Sequence, residues 1–136
     1  MTKPLIKNVD CVRLYVESLE SGLSFYRDQL GLELIWRTKQ AVGLRMPDDE
    51  TEIVLHTEPQ GPEIDLKVAC ADDAAIRIEE AGGKVVIPPF DIQIGRCVVV
   101  HDPWGNELVL LDTSKGLLKT DAEGNVIGNV TTEEGL

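Results

Sequence analysis

Four segments of this sequence, residues 10–16, 52–57, 63–68 and 107–111, alternate between two sets of side chains. A period of two is typical of β-strands, because successive side chains of a strand point to opposite faces of its sheet. One set is apolar, and the other includes groups that can hydrogen-bond or pair charge with an organic molecule. The residues that we predict to bind such a ligand are Arg13, Tyr15, His56, Glu63, Asp65, Lys67 and Glu107.

Two side chains on these segments are also candidates for catalysis. Cys11 precedes Arg13 by two positions on the same predicted face. A neighbouring cation favours the thiolate, which is the nucleophilic form of cysteine. Glu63 is the second candidate. The other two cysteines have no metal-type spacing and are predicted to be structural.

The first half of the chain is predicted to form a strand, a helix and three further strands. The first strand is residues 10–16. Ser18, or alternatively Ser21, then caps a helix whose apolar side chains recur at helical spacing, and Gly31 ends it. The three strands that follow are residues 32–37, 41–46 and 52–57.

The same order of elements begins again after a break at residues 60–62. Its helix is predicted to be capped by Asp72 or Asp73 and to run to Ala81, and a loop is predicted from Pro88 through Ile94. The strands of this half are residues 63–68, 84–87, 96–100 and 107–111.

The two halves match at an offset of 52 residues, which pairs Val12 with Ile64, Leu14 with Leu66 and Gly31 with Gly83. The chain therefore contains two copies of a βαβββ unit. The last two strands of the second copy are joined by residues 102–106, DPWGN, whose proline, glycine and asparagine favour a tight turn.

This closing hairpin resembles that of the vicinal oxygen chelate superfamily, which includes glyoxalase I, bleomycin-resistance proteins and extradiol dioxygenases. The opening strand and helix are similar to the first-unit signature of the same superfamily, with Phe25-Tyr26 at the end of the helix and Leu30-Gly31 after it. The resemblance covers about residues 9–112.

The resemblance implies an α+β fold in which two βαβββ modules form a curved eight-stranded mixed sheet. The modules would be residues 9–59 and 60–112, after a lead-in at residues 1–8. Residues 113–136 form a tail in which a short hairpin is predicted around residues 121–125, with the last residues, 131–136, loose. The resemblance also implies a homodimer.

Metal-dependent members of the superfamily place one ligand on each of four strands. The corresponding positions here are Cys11, Val54, Glu63 and Val109. Valine has no lone pair, so we expect no metal and no other cofactor. A displaced metal would need His56 or Glu107, each two residues from a valine position.

The leading functional hypothesis is therefore a small-molecule-binding protein of the glyoxalase/bleomycin-resistance type. The concave face of its curved sheet would form a polar cup for the ligand, without a complete metal site. The alternatives are a divalent-metal-dependent lyase or isomerase like glyoxalase I, a ring-cleaving dioxygenase, and a metal-free enzyme that uses Cys11 or Glu63. A further alternative is that the polar strand faces are simply solvated.

Composition excludes several other classes of function. The net charge of −11 argues against a nucleic-acid partner, because phosphates would be repelled. No apolar run is long enough to span a membrane, and the first ten residues lack the apolar core of a signal peptide. A cytoplasmic protein is the expectation.

Overall fold

The computed structural model describes residues 3–130, which form an α+β fold with a mixed eight-stranded sheet and a two-stranded sheet. The predicted fold class is thus confirmed. Among these residues no helix is both long and apolar enough to cross a bilayer. The helices are α1 (Leu19–Leu23), which continues as a π-helical segment (Ser24–Gln29), and α2 (Ala71–Glu80). The strands are β1 (Asn8–Tyr15), β2 (Glu33–Arg37), β3 (Ala41–Met46), β4 (Asp49–His56), β5 (Glu63–Lys67), β6 (Lys84–Ile92), β7 (Gly95–His101), β8 (Glu107–Leu111), β9 (Leu118–Thr120) and β10 (Val126–Asn129).

The chain divides into two compact units. The first unit comprises Asp10–Ile64 and Leu118–Gly128, and the second comprises Asp65–Leu117 with residues 3–9 and 129–130. The strand order is β2-β3-β4-β1 in the first unit and β5-β8-β7-β6 in the second. In each case the first and last strands of the βαβββ pattern pair in parallel and the other neighbours pair antiparallel.

Helix α1 covers one face of the sheet in the first unit. The backbone N–H of Ser21 donates to Oγ of Ser18 at 3.1 Å, which confirms the predicted N-cap. Full burial of one aliphatic side chain contributes roughly 1.5–3 kcal/mol, so the apolar layer under α1 stabilises this arrangement. The buried residues of that layer are Leu23, Val42, Leu44 and Leu55.

The helix widens after its first turns, which the sequence did not predict. The N–H of Leu30 donates to the carbonyl of Phe25 at 3.0 Å, the five-residue spacing of a π-helix. Gly31 ends the segment with φ +83°, as predicted from its freedom to adopt positive φ.

Helix α2 begins differently from the prediction. Its N-cap is Cys70, whose side chain makes no capping bond, and not Asp72 or Asp73. The carboxylate of Asp112 supplies the cap instead, because its Oδ2 accepts the N–H of Ala71 at 2.8 Å. The prediction was wrong because this acceptor lies 41 residues away in the sequence, beyond any local capping motif.

Strand β6 is also longer than predicted and includes Pro88 and Pro89, which we assigned to a loop. It is the edge strand of its unit, and its pairing with β7 shifts register between Ile87 and Phe90. Prolines lack the N–H needed for a ladder hydrogen bond, and an edge strand with a register shift tolerates them.

The lead-in and the tail both contact the units. The N–H of Lys7 donates to the carbonyl of Lys67 at 2.9 Å. The predicted tail hairpin is present as β9 and β10. Its turn contacts β2, since the carbonyl of Gly124 accepts the N–H of Arg37 at 2.7 Å. The expectation of a loose end at residues 131–136 lies outside the described residues.

Candidate functional site

The polar side chains of the first unit share the face of β1–β4 that is turned away from α1. On β1, β3 and β4 this follows from alternation, because the intervening residues of these strands pack in the apolar layer under the helix. On β2 a register shift between Leu34 and Trp36 brings Trp36 to the same face. We call this surface the site face. Its members include Cys11, Arg13, Tyr15, Trp36, Ala41, Gly43, Arg45, Glu52, Val54 and His56.

His56 is the most constrained polar residue of the site face, with 3% of its surface exposed. The backbone N–H of Glu58 donates to its Nδ1 at 3.2 Å. Nδ1 must therefore present its lone pair, and the neutral ring carries its hydrogen on Nε2. Within residues 3–130 this Nε2 is buried and has no hydrogen-bond partner. The imidazole thus holds a fixed, unused donor.

Tyr15 and Arg13 lie on β1, the strand that pairs with the strand of His56. Tyr15 is opposite His56 in the β1–β4 register, and the two ring centroids are 6.5 Å apart. Nε of Arg13 lies 3.7 Å from Oε2 of Glu63, which is an ion pair but longer than a hydrogen bond. The guanidinium group is only partly exposed and retains N–H donors for another acceptor.

Glu52 is held by a hydrogen bond from Trp36, whose indole Nε1 lies 2.7 Å from Oε1. The indole occupies the space over Gly43, where an added Cβ would be 2.0 Å from Nε1. Burial raises the pKa of the Glu52 carboxyl, and the indole N–H only partly offsets this. Glu52 belongs to the strand predicted at residues 52–57, but the sequence did not reveal the hydrogen bond. A glycine inside a strand is a weak signal of such a close approach.

The catalytic candidate Cys11 lies in apolar surroundings. It is 4% exposed and packs with Ala41, Val54 and Trp36. The second candidate, Glu63, faces Arg13 as an ion-pair partner. The structure therefore places both candidates in the first unit and gives each a packing or pairing role.

The remaining predicted residues lie in the second unit. Asp65 is buried opposite Val109, and Lys67 is opposite Leu111. Val109 and Leu111 belong to an apolar cluster. Glu107 is at the exposed start of β8, with its carboxylate 3.9 Å from Nε2 of His101.

The donor set does not fit a metal centre of the superfamily type. Two of the four corresponding positions, Val54 and Val109, have no lone pair and pack in apolar clusters. His56 cannot take the place of Val54 as a metal ligand in this arrangement. Its Nδ1 accepts the N–H of Glu58 and its Nε2 carries the ring hydrogen, so neither nitrogen has a free lone pair. In the part of the chain that the structure describes, no three His, Cys, Asp or Glu side chains are grouped so that they could hold an ion.

These features define an α+β protein made of two βαβββ units. The chain belongs to the Glyoxalase/Bleomycin resistance protein/Dioxygenase superfamily, whose family profile matches residues 8–110. This confirms the resemblance that the closing hairpin and the opening strand and helix indicated.

Similar proteins include one relative and several solved structures. An uncharacterized protein of Mycolicibacterium smegmatis (strain ATCC 700084 / mc(2)155) is 31% identical over 117 residues, which cover 79% of this chain and 95% of the relative. Methylmalonyl-CoA epimerase from Mycobacterium tuberculosis has a TM-score of 0.71 and 19% identity, covering 84% of this chain and 93% of the epimerase. An extradiol ring-cleaving dioxygenase from B. fuscum has a TM-score of 0.60 and 24% identity, covering 81% of this chain and 33% of the dioxygenase. At these identities the two structures establish the shared fold.

Proposed function

We propose that this protein binds a small organic molecule on the site face and does so without a metal ion. The observation that carries the proposal is the hydrogen bond from the N–H of Glu58 to Nδ1 of His56. It commits the buried imidazole to donating a hydrogen bond from Nε2, whereas metal ligation needs a free lone pair on one ring nitrogen.

The neighbouring side chains support a binding role. Arg13 and Tyr15 add donors that reach solvent, and the indole of Trp36 adds a flat surface beside them. A few directed polar groups beside apolar and aromatic surface are typical of small-molecule sites. The acidic net charge of −11 makes a nucleic-acid ligand unfavourable.

The test is metal analysis of the purified full-length protein, combined with thermal unfolding in the presence of Ni²⁺, Zn²⁺, Mn²⁺ or Fe²⁺. We expect substoichiometric metal and no specific rise in Tm, because an ion that binds only the folded state would raise it by mass action. Near-stoichiometric metal that is lost when Glu63 or His56 is substituted would instead support a metal-dependent lyase, isomerase or dioxygenase.

We also propose that the protein is a homodimer, as its resemblance to the superfamily implies. Light scattering of the purified protein measures this directly. A monomer at micromolar concentration would contradict the dimer without affecting the assignment of the site face.

A further inference from the structure

The unused donor of His56 indicates what kind of atom the site face must receive. A buried N–H that has lost its water without gaining an acceptor destabilises a protein, and such groups are rare in folded chains. Nε2 of His56 is buried in this way within residues 3–130. The hydrogen bond from Glu58 prevents the ring from relieving this by moving its hydrogen to Nδ1. The missing partner is therefore an acceptor, such as an oxygen.

A cationic residue neighbours His56 in the strand register. Arg13 is paired with Val54, and Tyr15 with His56, in the parallel register of β1 and β4. Arg13 and His56 are thus diagonal neighbours on one face, roughly 7–8 Å apart at their backbones, a separation that long side chains bridge. In the described chain Glu63 is the only acidic partner within ion-pair distance of Arg13, and it lies at 3.7 Å.

The carboxylates nearby do not supply the missing acceptor. Oε1 of Glu52 is engaged by the indole N–H of Trp36. Burial raises the pKa of Glu52, and the indole N–H acts in the opposite direction. Glu63 is partly exposed and can turn toward solvent when another anion pairs with Arg13.

We propose that the ligand of the site face is an organic acid, whose carboxylate accepts the Nε2–H of His56 and pairs with the guanidinium of Arg13. This inference rests on the function proposed above and names the class of molecule. Tyr15 is opposite His56 on β1, and its ring is tilted by 59° against the imidazole and is 47% exposed. An exposed ring of this kind can change rotamer to accommodate a ligand beside the imidazole.

The test uses the full-length protein with ¹⁵N-labelled histidine, titrated to millimolar concentration with acetate, benzoate or benzamide. We expect acetate and benzoate to shift the Nε2–H resonance of His56, and benzamide to have little effect. His101 is an internal control, because it lies in the second unit and is partly exposed. The inference is wrong if neither carboxylate moves the His56 resonance, or if His101 alone responds.

Three variants locate the carboxylate. We expect His56→Leu and Arg13→Gln each to weaken benzoate binding at least about tenfold, since a hydrogen bond to a charged group is lost. His101→Leu should leave it unchanged. If His56→Leu does not fold, Arg13→Gln and the wild-type titration still decide the question. Benzamide that binds as well as benzoate would overturn the organic-acid inference but support small-molecule binding, whereas bound metal would overturn the proposed function.

Discussion

The indole N–H of Trp36 on β2 donates to the carboxyl of Glu52 on β4, across the intervening strand β3, at 2.7 Å. The contact spans two strands because Gly43, opposite Trp36 on β3, has no side chain in the way. The hydrogen bond joins two side chains of the site face, and it partly offsets the rise in the pKa of Glu52 that burial causes.

Trp36→Phe should destabilise the protein by about 1–3 kcal/mol at neutral pH, because the half-buried Glu52 carboxyl loses its donor. A carboxyl whose folded pKa is raised contributes stability below its unfolded pKa and loses it as pH rises through the folded value. Loss of the indole N–H raises that pKa further. The decrease in the free energy of unfolding caused by Trp36→Phe should therefore be larger at pH 7 than at about pH 4. Urea unfolding at the two pH values measures this.

Trp104→Phe is the matched control for that experiment. Trp104 is 84% exposed in the turn after β7, so its replacement should change the free energy of unfolding by less than about 0.5 kcal/mol at either pH. A Trp36→Phe penalty that does not depend on pH would mean that packing, and not the hydrogen bond to Glu52, is lost.

Gly43→Ala should be destabilising by about 1–3 kcal/mol, because the new methyl group overlaps the indole of Trp36. Gly61→Ala is the control, since nothing lies within 4 Å of a Cβ added there. Combining Gly43→Ala with Trp36→Ala should remove most of the clash. Chemical unfolding of the three single variants and the double variant tests this. If the losses in free energy of unfolding of Gly43→Ala and Trp36→Ala simply add in the double variant, the predicted clash is contradicted.

Asp112→Asn should cost about 2–3 kcal/mol at neutral pH, since the carboxylate caps α2 and also accepts from Ser114 and the N–H of Arg96. Burial of this carboxyl acts to raise its pKa, but these hydrogen bonds outweigh it and the pKa is lowered. Its stability contribution is present above the unfolded pKa and is lost as pH falls through the folded value.

The penalty of Asp112→Asn should therefore shrink in acid, which thermal unfolding across the pH range would show. Asp73→Asn is the control, because Asp73 lies in the exposed first turn of α2 but does not cap it. An equal cost for the two substitutions would restore the local capping prediction that the structure contradicts.

Asp121→Ala should loosen the contact between the tail hairpin and β2. The carboxylate of Asp121 accepts the N–H groups of Glu123 and Asn125, which shapes the turn that presents the carbonyl of Gly124 to Arg37. We expect the Arg37 amide to exchange at least about tenfold faster with deuterium.

Asp102→Ala is the control, because Asp102 makes the same set of bonds in the DPWGN turn of the second unit, to Trp104 and Asn106. It should leave the Arg37 amide unaffected. Equal protection of Arg37 in both variants would mean that the tail turn does not depend on Asp121.

The first and last residues of a strand or helix were predictable from the sequence where the interactions that set them are between near neighbours. Residues 41–46 and 107–111 were predicted as strands with their observed bounds, and Ser18 and Gly31 begin and end the first helical stretch. The cap of α2 was not predictable, because Asp112 lies 41 residues from the helix start in the sequence and comes close to it only in the folded structure.

The sequence alone determined the doubled βαβββ order and the side chains that share each strand face, because strand alternation, helix spacing and turn chemistry act between near neighbours. The superfamily was indicated by the resemblance of the hairpin and helix signatures and is confirmed by the family profile. It also showed that valines stand where metal ligands are expected. Only the tertiary structure decided how those faces work. The indole over Gly43 and the burial that raises the pKa of Glu52 arise from contacts between strands, which no local pattern encodes. The hydrogen bond that sets the tautomer of His56 comes from Glu58, only two residues away, but the burial that leaves Nε2 without a partner within residues 3–130 depends on the packed sheet.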